Sequence, residues 1–255
     1  MDLRLSAARA LVTGGSGGLG AAVATALADE GARVAVAARE SDRLAETASR
    51  IGGTAIAADL SSPGGPADAV ARAVGQLGGL DLLLVNSGGP PPGRFEDLTE
   101  TDWQRAIDGT LWSAIRLVRA ALPHLRSSEI PSVLIILSSS AREPIQSLMT
   151  SNVLRPGLAG MIKALVSEIA PIRINGVAPG RVATSRIAQL DEKRARDSGT
   201  SVAEVERQTI ARIPLGRYGD PAEVGRLGAF LLSPAASYVN GAIIPIDGGM
   251  VKALP

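Results

Sequence analysis

Seven short aliphatic runs constrain this chain more than any other feature: ALVT (10–13), RVAVA (33–37), TAIA (54–57), DLLLV (81–85), SVLIIL (132–137), IRINGV (172–177) and AIIPI (242–246). Most are apolar at successive positions and do not alternate, which suits strands covered on both faces. Segments with helical spacing lie between them, at 18–29, 41–51, 65–77, 100–122, 156–169 and 221–232. Strand–helix alternation of this kind predicts an α/β fold. The expected architecture is a doubly wound sheet of about seven parallel strands, flanked by helices on both faces. PGG at 63–65 and GGPPPG at 88–93 are loop punctuation. The stretch 181–219 is polar and longer than an ordinary connection, so it is expected to be a substrate loop or lid within a single domain, 1–255.

Composition excludes several functions. Hydrophobic residues make up 45% of the 255 and charged residues 20%, enough apolar content for a sizeable core. The net charge of +1 is not the basic footprint of a nucleic-acid binder. DEKRARD (191–197) mixes both signs and reads as a solvated helix face. With no cysteine and a single histidine, His124, neither a disulfide nor a metal centre is expected. No hydrophobic run reaches the roughly 18 residues that span a bilayer. The first residues enter a strand almost at once, without a signal-peptide pattern, so a cytoplasmic protein is expected.

TGGSGGLG (13–20) follows the first strand and opens the first helix. In that context Gly14 permits a tight turn, Gly18 lets the backbone approach a pyrophosphate, and Gly20 lets the helix press on the sheet. The helix N-terminus then offers free N–H groups to phosphate oxygens. Ser16 and Leu19 belong to the same turn and are counted with the cofactor-binding candidates. The second strand ends in Ala37-Ala38-Arg39, with no acidic residue for a ribose 2′-hydroxyl. Arg39 can pair instead with a 2′-phosphate, which favours NADP over the alternative, NAD.

Taken in order, these motifs make the chain resemble a short-chain dehydrogenase/reductase, from about residue 8 to 250, with that family's Rossmann-like sheet. TGGSGGLG matches the family's TGxxxGxG. Asp59-Leu60 resembles the pair that touches adenine, and Asn86-Ser87-Gly88 the NAG motif. RINGVAPGRVAT (173–184) resembles the PG motif, with Pro179 and Gly180 at its turn and Thr184 where the nicotinamide amide is met. GRYGDPAEV and IDGG resemble the C-terminal signature. The resemblance implies a small-molecule substrate and a homotetramer, with a homodimer as the alternative, joined through the long fourth and fifth helices.

The family's Asn, Ser and Tyr-x-x-x-Lys are only partly matched. Ser138, within Ser138-Ser139-Ser140, is favoured by spacing as the serine. Lys163 and RINGV set a register that puts Ser151 at the tyrosine position and Arg155 at the lysine position. Thr110, seven residues after Trp103, takes the place of asparagine. Pro156 disfavours helical geometry at Arg155, so the helix is expected either to begin near Pro156 or to have a distorted first turn, with Thr150 or Ser151 as its cap. Serine is a far weaker acid than a phenol. Arginine stays charged, but its fork can hold ribose hydroxyls or a carboxylate. Glu143 is a weak candidate proton donor. Two readings follow: an NADP(H)-dependent oxidoreductase acting on a carbonyl or alcohol (a 3-oxoacyl, small ketone or sugar type) through Ser138, Ser151 and Arg155, or a silent NADP(H)-binding sensor or scaffold.

Overall fold

The computed structural model describes residues 1–253. Seven strands, β1 (Arg9–Thr13), β2 (Arg33–Ala38), β3 (Thr54–Ala57), β4 (Leu82–Val85), β5 (Ser132–Ile136), β6 (Arg173–Pro179) and β7 (Ile243–Ile246), form one sheet in the order β3-β2-β1-β4-β5-β6-β7. Every pairing is parallel. The expected architecture is therefore the observed one.

Alternate residues of each strand feed opposite cores. Leu11, Leu83, Val133, Ile135 and Ile174 pack with helices α3 (Gly65–Leu77), α5 (Ser113–Leu125) and α6 (Met149–Glu168). Val12, Leu82, Leu84, Leu134 and Val177 pack with α1 (Gly18–Asp29), α2 (Asp42–Arg50) and α9 (Pro221–Leu232). The inner strands β1, β4 and β5 are buried on both faces almost throughout, which is why their runs do not alternate in polarity, while the edge strands β3 and β7 are partly exposed. Strand order reverses between β1 and β4, and loops at the carboxyl ends diverge there to leave a crevice.

Two helical segments differ from expectation. The run 100–122 is α4 (Glu100–Ala106), a π-helical turn (Ile107–Trp112) and α5, in succession. Such turns recur at functional sites, and this one carries Thr110. The second is α6, which starts at Met149 and runs straight through Pro156. Neither expected cap forms: Thr150 Oγ1 donates to Pro91 O at 2.9 Å, and Ser151 turns inward. Tertiary contacts hold the early turns instead. Asn152 bonds both backbone groups of Ile145 at 2.9 Å, and Leu154 and Leu158 are buried. The stretch 181–219 contains two helices, α7 (Ser185–Ser198) and α8 (Val202–Ile210), where a loop was expected. A bridge between Val182 and Gly219 closes its base. Among the described residues no helix is long and apolar enough to cross a membrane.

One polar cluster secures the amino end of the sheet. Asp81 accepts from Arg9 N and Nε at 2.8 Å, from Arg9 Nη2 at 2.6 Å and from Ser128 Oγ at 2.6 Å. Burial opposes its ionisation, but the bonds from Arg9 and Ser128 outweigh burial and hold the carboxyl below its ordinary range. A carboxylate with a depressed pKa stabilises the fold above its unfolded value of about 3.9, and that contribution fades as pH falls through the folded value. Asp81→Asn is expected to cost about 3 kcal/mol at pH 7, because it leaves Arg9 without its counterion. The cost should shrink in acid, and urea titrations at pH 7 and pH 3 measure the difference.

Candidate functional site

The crevice is assembled from the ends of β1, β4, β5 and β6. Thr13, the last residue of β1, stitches two loops together: its Oγ1 lies 3.0 Å from Leu84 O and 2.9 Å from Asn86 O, and accepts from Asn86 N at 2.9 Å. Asn86 in turn donates from Nδ2 to Gly14 O at 3.4 Å. Gly14 turns with φ +61°, a region that suits glycine. A Cβ on Gly20 would collide with the Gly14 carbonyl and come 2.9 Å from Asn86 Nδ2. The first turn of α1 has no side-chain cap and no acidic residue, so its amides are free to meet an anion.

The opposite wall begins at Pro179 and Gly180. Thr184 caps α7 by accepting from Ile187 N at 3.4 Å, and its Cγ2 would lie 3.6 Å from a Cβ on Gly18. The starts of α1 and α7 therefore converge. Beside them lies a cavity of about 340 Å³, lined by Gly18, Ala22, Arg43, Arg50, Thr184 and Pro221 among others. Ser16 and Leu19 are half-buried in the turn, and Gly88 sits in the open loop after β4.

Arg39 and Asp59 are both exposed at the rim. The Asp59 carboxyl is held below its usual range first by Ser61 hydrogen bonds and also by the charge of Arg39. Leu60 packs against the core behind them. Sequence reasoning missed Arg43 here: its guanidinium lies 3.3 Å from where a Cβ on Gly17 would be, directly over the glycine turn. The available signal was a second arginine four residues after Arg39, at the start of a helix.

Around the carbonyl end of β5 three serines have different settings. Ser138 is half-exposed and caps the short 3-10 turn Ser139–Ala141, accepting from Ser140 N at 3.1 Å. Ser140 and Ser151 are buried, with their hydroxyls 2.9 Å apart. The hydroxyl that meets Ser151 is thus that of Ser140, a residue that sequence reasoning did not single out. Thr110 Oγ1 is buried and has no protein partner among the described residues. Glu143 is exposed. Tyr218 lies elsewhere, donating to Asp191 at 2.8 Å, with its phenol pushed up to about 12 by burial and by that bond.

Arg155, one turn beyond Ser151, is only 7% exposed. Its Nη1 donates to Ile136 O at 2.7 Å, while Nε has no partner among the described residues. Burial, and next the charge of Arg186, bring its pKa down to about 10. Arg186, in the first turn of α7, donates from Nη2 to Pro90 O at 2.6 Å, and burial lowers its pKa as well.

Comparison with known proteins agrees with this architecture. Residues 14–251 match the family model described as Enoyl-(Acyl carrier protein) reductase. The chain is 31% identical to dehydrogenase/reductase SDR family member 4 of Oryctolagus cuniculus, over 96% of this chain and 94% of that one. L-sorbose reductase from Gluconobacter frateurii, solved with NADPH and L-sorbose, superposes with a TM-score of 0.93 at 28% identity, covering both chains fully. An NADPH-bound short chain oxidoreductase from Pseudomonas aeruginosa PAO1, described as containing an atypical catalytic center, gives 0.86 at 29% identity over 96% and 97% of the two chains. From the fold, the ordered motifs and these matches, the chain belongs to the short-chain dehydrogenase/reductase family.

Proposed function

We propose that this protein is an NADP(H)-dependent reductase of a carbonyl compound, working from a serine–arginine site in place of the family's tyrosine–lysine pair. The observation that carries the reading is the burial of Ser140, Ser151 and Arg155, with the two serine hydroxyls 2.9 Å apart and Arg155 one turn beyond Ser151. The cofactor fits the residues present: close-packed Gly14 and Gly20 leave room for a diphosphate, the uncapped α1 amides would bind it, and Arg39 with Arg43 would hold a 2′-phosphate. Asp59, Leu60, Asn86, Gly88, Pro179, Gly180 and Thr184 line the path expected for the rest of the cofactor. When bound, NADPH supplies the hydride.

The remaining chemistry falls to the chain itself. Ser138 and Ser151 would orient the substrate carbonyl oxygen, and the Ser151–Ser140 pair would relay a proton to it from water. Arg155 would fix the nicotinamide ribose as a charged hydrogen-bond donor. Without a phenol as general acid, the rate should fall by about 10²–10⁴, equivalent to roughly 3–5 kcal/mol of barrier. The support for chemistry over a silent sensor is the retained hydroxyl pair with a buried arginine one turn further along α6. A relative from Pseudomonas aeruginosa is named a 3-oxoacyl-[acyl-carrier-protein] reductase and a structural neighbour an L-sorbose reductase, so small ketones, 3-oxoacyl thioesters and ketoses form the first panel.

Following NADPH absorbance across that panel tests the reading. Turnover that falls at least about tenfold in Ser151→Ala supports it; tight NADPH binding with no oxidation across the panel returns the sensor. Arg39→Met is expected to weaken NADPH by about 10–100-fold while leaving NADH within about threefold, as loss of one charge-assisted bond predicts. Fluorescence titration of both coenzymes measures it. The 181–219 segment would act as the lid. The assembly we propose is a homotetramer, with a homodimer as the alternative, through the outer faces of α5 and α6. Trp112 is 42% and Val153 52% exposed in this region.

A further inference from the structure

Two arginines on neighbouring elements, Arg155 and Arg186, have no acidic partner among the described residues. Arg155 is nine-tenths buried on α6, with Nε unbonded. Arg186 reaches from the first turn of α7 to Pro90 O, and its Nε and Nη2 would lie 2.9 and 3.1 Å from a Cβ on Gly89. The same loop is tied to α6 on its other side, since Thr150 donates to Pro91 O. Loop 89–91 therefore bridges the arginine of α7 and the Thr150–Arg155 turn of α6. Burial first, and the charge of Arg186 second, lower the pKa of Arg155.

Charged groups removed from water are ordinarily paired, and two like charges brought together raise the cost further. Each arginine here has a carbonyl oxygen as its recorded acceptor. No salt bridge of the described residues involves either. In the proposed arrangement the glycine turn, Arg39 and Arg43 would hold the cofactor's phosphates, while Arg186 turns to the loop after β4. A planar carboxylate matches a guanidinium fork and would offset both charges.

We infer that the substrate is an oxo acid, whose carboxylate is held by Arg186 with Arg155 behind it. This deepens the reductase reading and rests on it, since it names the substrate class of the same site. Arg186 stands two residues after Thr184 in the segment proposed as the lid, so binding of the acid would tie that segment to the loop after β4.

The test uses the full-length protein with saturating NADP⁺ and matched pairs, each an oxo acid and its methyl ester, titrated by calorimetry; it needs no turnover. The acid is expected to bind about 10–100-fold more tightly than the ester. In Arg186→Met that preference should fall below about threefold, with Arg186→Lys intermediate. Equal binding of acid and ester to the unaltered protein overturns the inference, whatever the variants do. A loss of NADPH affinity in Arg186→Met as large as the loss of acid affinity also overturns it, assigning the arginine to the cofactor. Acid-selective binding without NADPH oxidation would keep the carboxylate site and refute the reductase reading instead, so the two failures are distinguishable.

Discussion

Gly20→Ala is expected to weaken NADPH binding by at least about 100-fold, the equivalent of close to 3 kcal/mol. The added methyl would strike the Gly14 carbonyl and crowd Asn86 Nδ2, the two groups that shape the turn. Neither can yield cheaply. Gly14 is the tight bend itself, and Asn86 is pinned through Thr13 to the end of β1. Either α1 lifts from the sheet or the turn opens, and in both cases the amides lose their aim at the diphosphate. Gly75→Ala in α3 is the control. Nothing lies within 4 Å of a Cβ there, so it should leave NADPH affinity unchanged and stabilise the helix by about 0.5–1 kcal/mol. Calorimetric titration and thermal melts of the two variants check both halves.

Arg155→Met is expected to make the protein more stable and nearly inactive. The guanidinium is buried, its pKa brought down to about 10, and no carboxylate among the described residues is bonded to it. A base with a depressed folded pKa destabilises the fold wherever it remains charged, that is, at pH below about 10, and the penalty lifts as pH rises toward the unfolded value. Methionine fills similar space without charge and forfeits one bond to Ile136 O. The net gain at pH 7 should be about 1–3 kcal/mol, shrinking above pH 10. Carbonyl reduction should fall by about 10²–10³, since a charged donor proposed for the ribose is gone. Urea unfolding against pH, with kcat/KM measured in parallel, tests the pair of effects. A variant that loses stability and activity together would mean that Arg155 serves only as a strut.

The sheet was legible because strands dry on both faces are largely apolar, and most of the seven runs carry that mark. The glycine turn was legible because close approach leaves few other residues possible. Local rules failed where tertiary contacts prevail. Pro156 forecast a helix starting late; Asn152, Thr150 and the buried Leu154 hold α6 in shape from Met149. Polar 181–219 looked like a loop because α7 and α8 bury little. Their boundary signals were nonetheless present: Thr184 and Ser201 as caps and Gly199 at φ +64°. Ser140 could not be found by spacing, because the 3-10 turn after Ser138 decides which hydroxyl faces Ser151. Arg186 was invisible for a related reason: only the fold brings it across to Pro90.

The central claim is that carbonyl reduction occurs at a site built from serine and arginine. Its most direct measurement is the transfer of deuterium from C4-labelled NADPH to a ketone or oxo acid, read by mass spectrometry of the product alcohol. The account predicts label in the alcohol with the unaltered protein and a sharp loss of labelled product in Ser151→Ala. Saturable NADPH binding with no label in any product across the panel would contradict it.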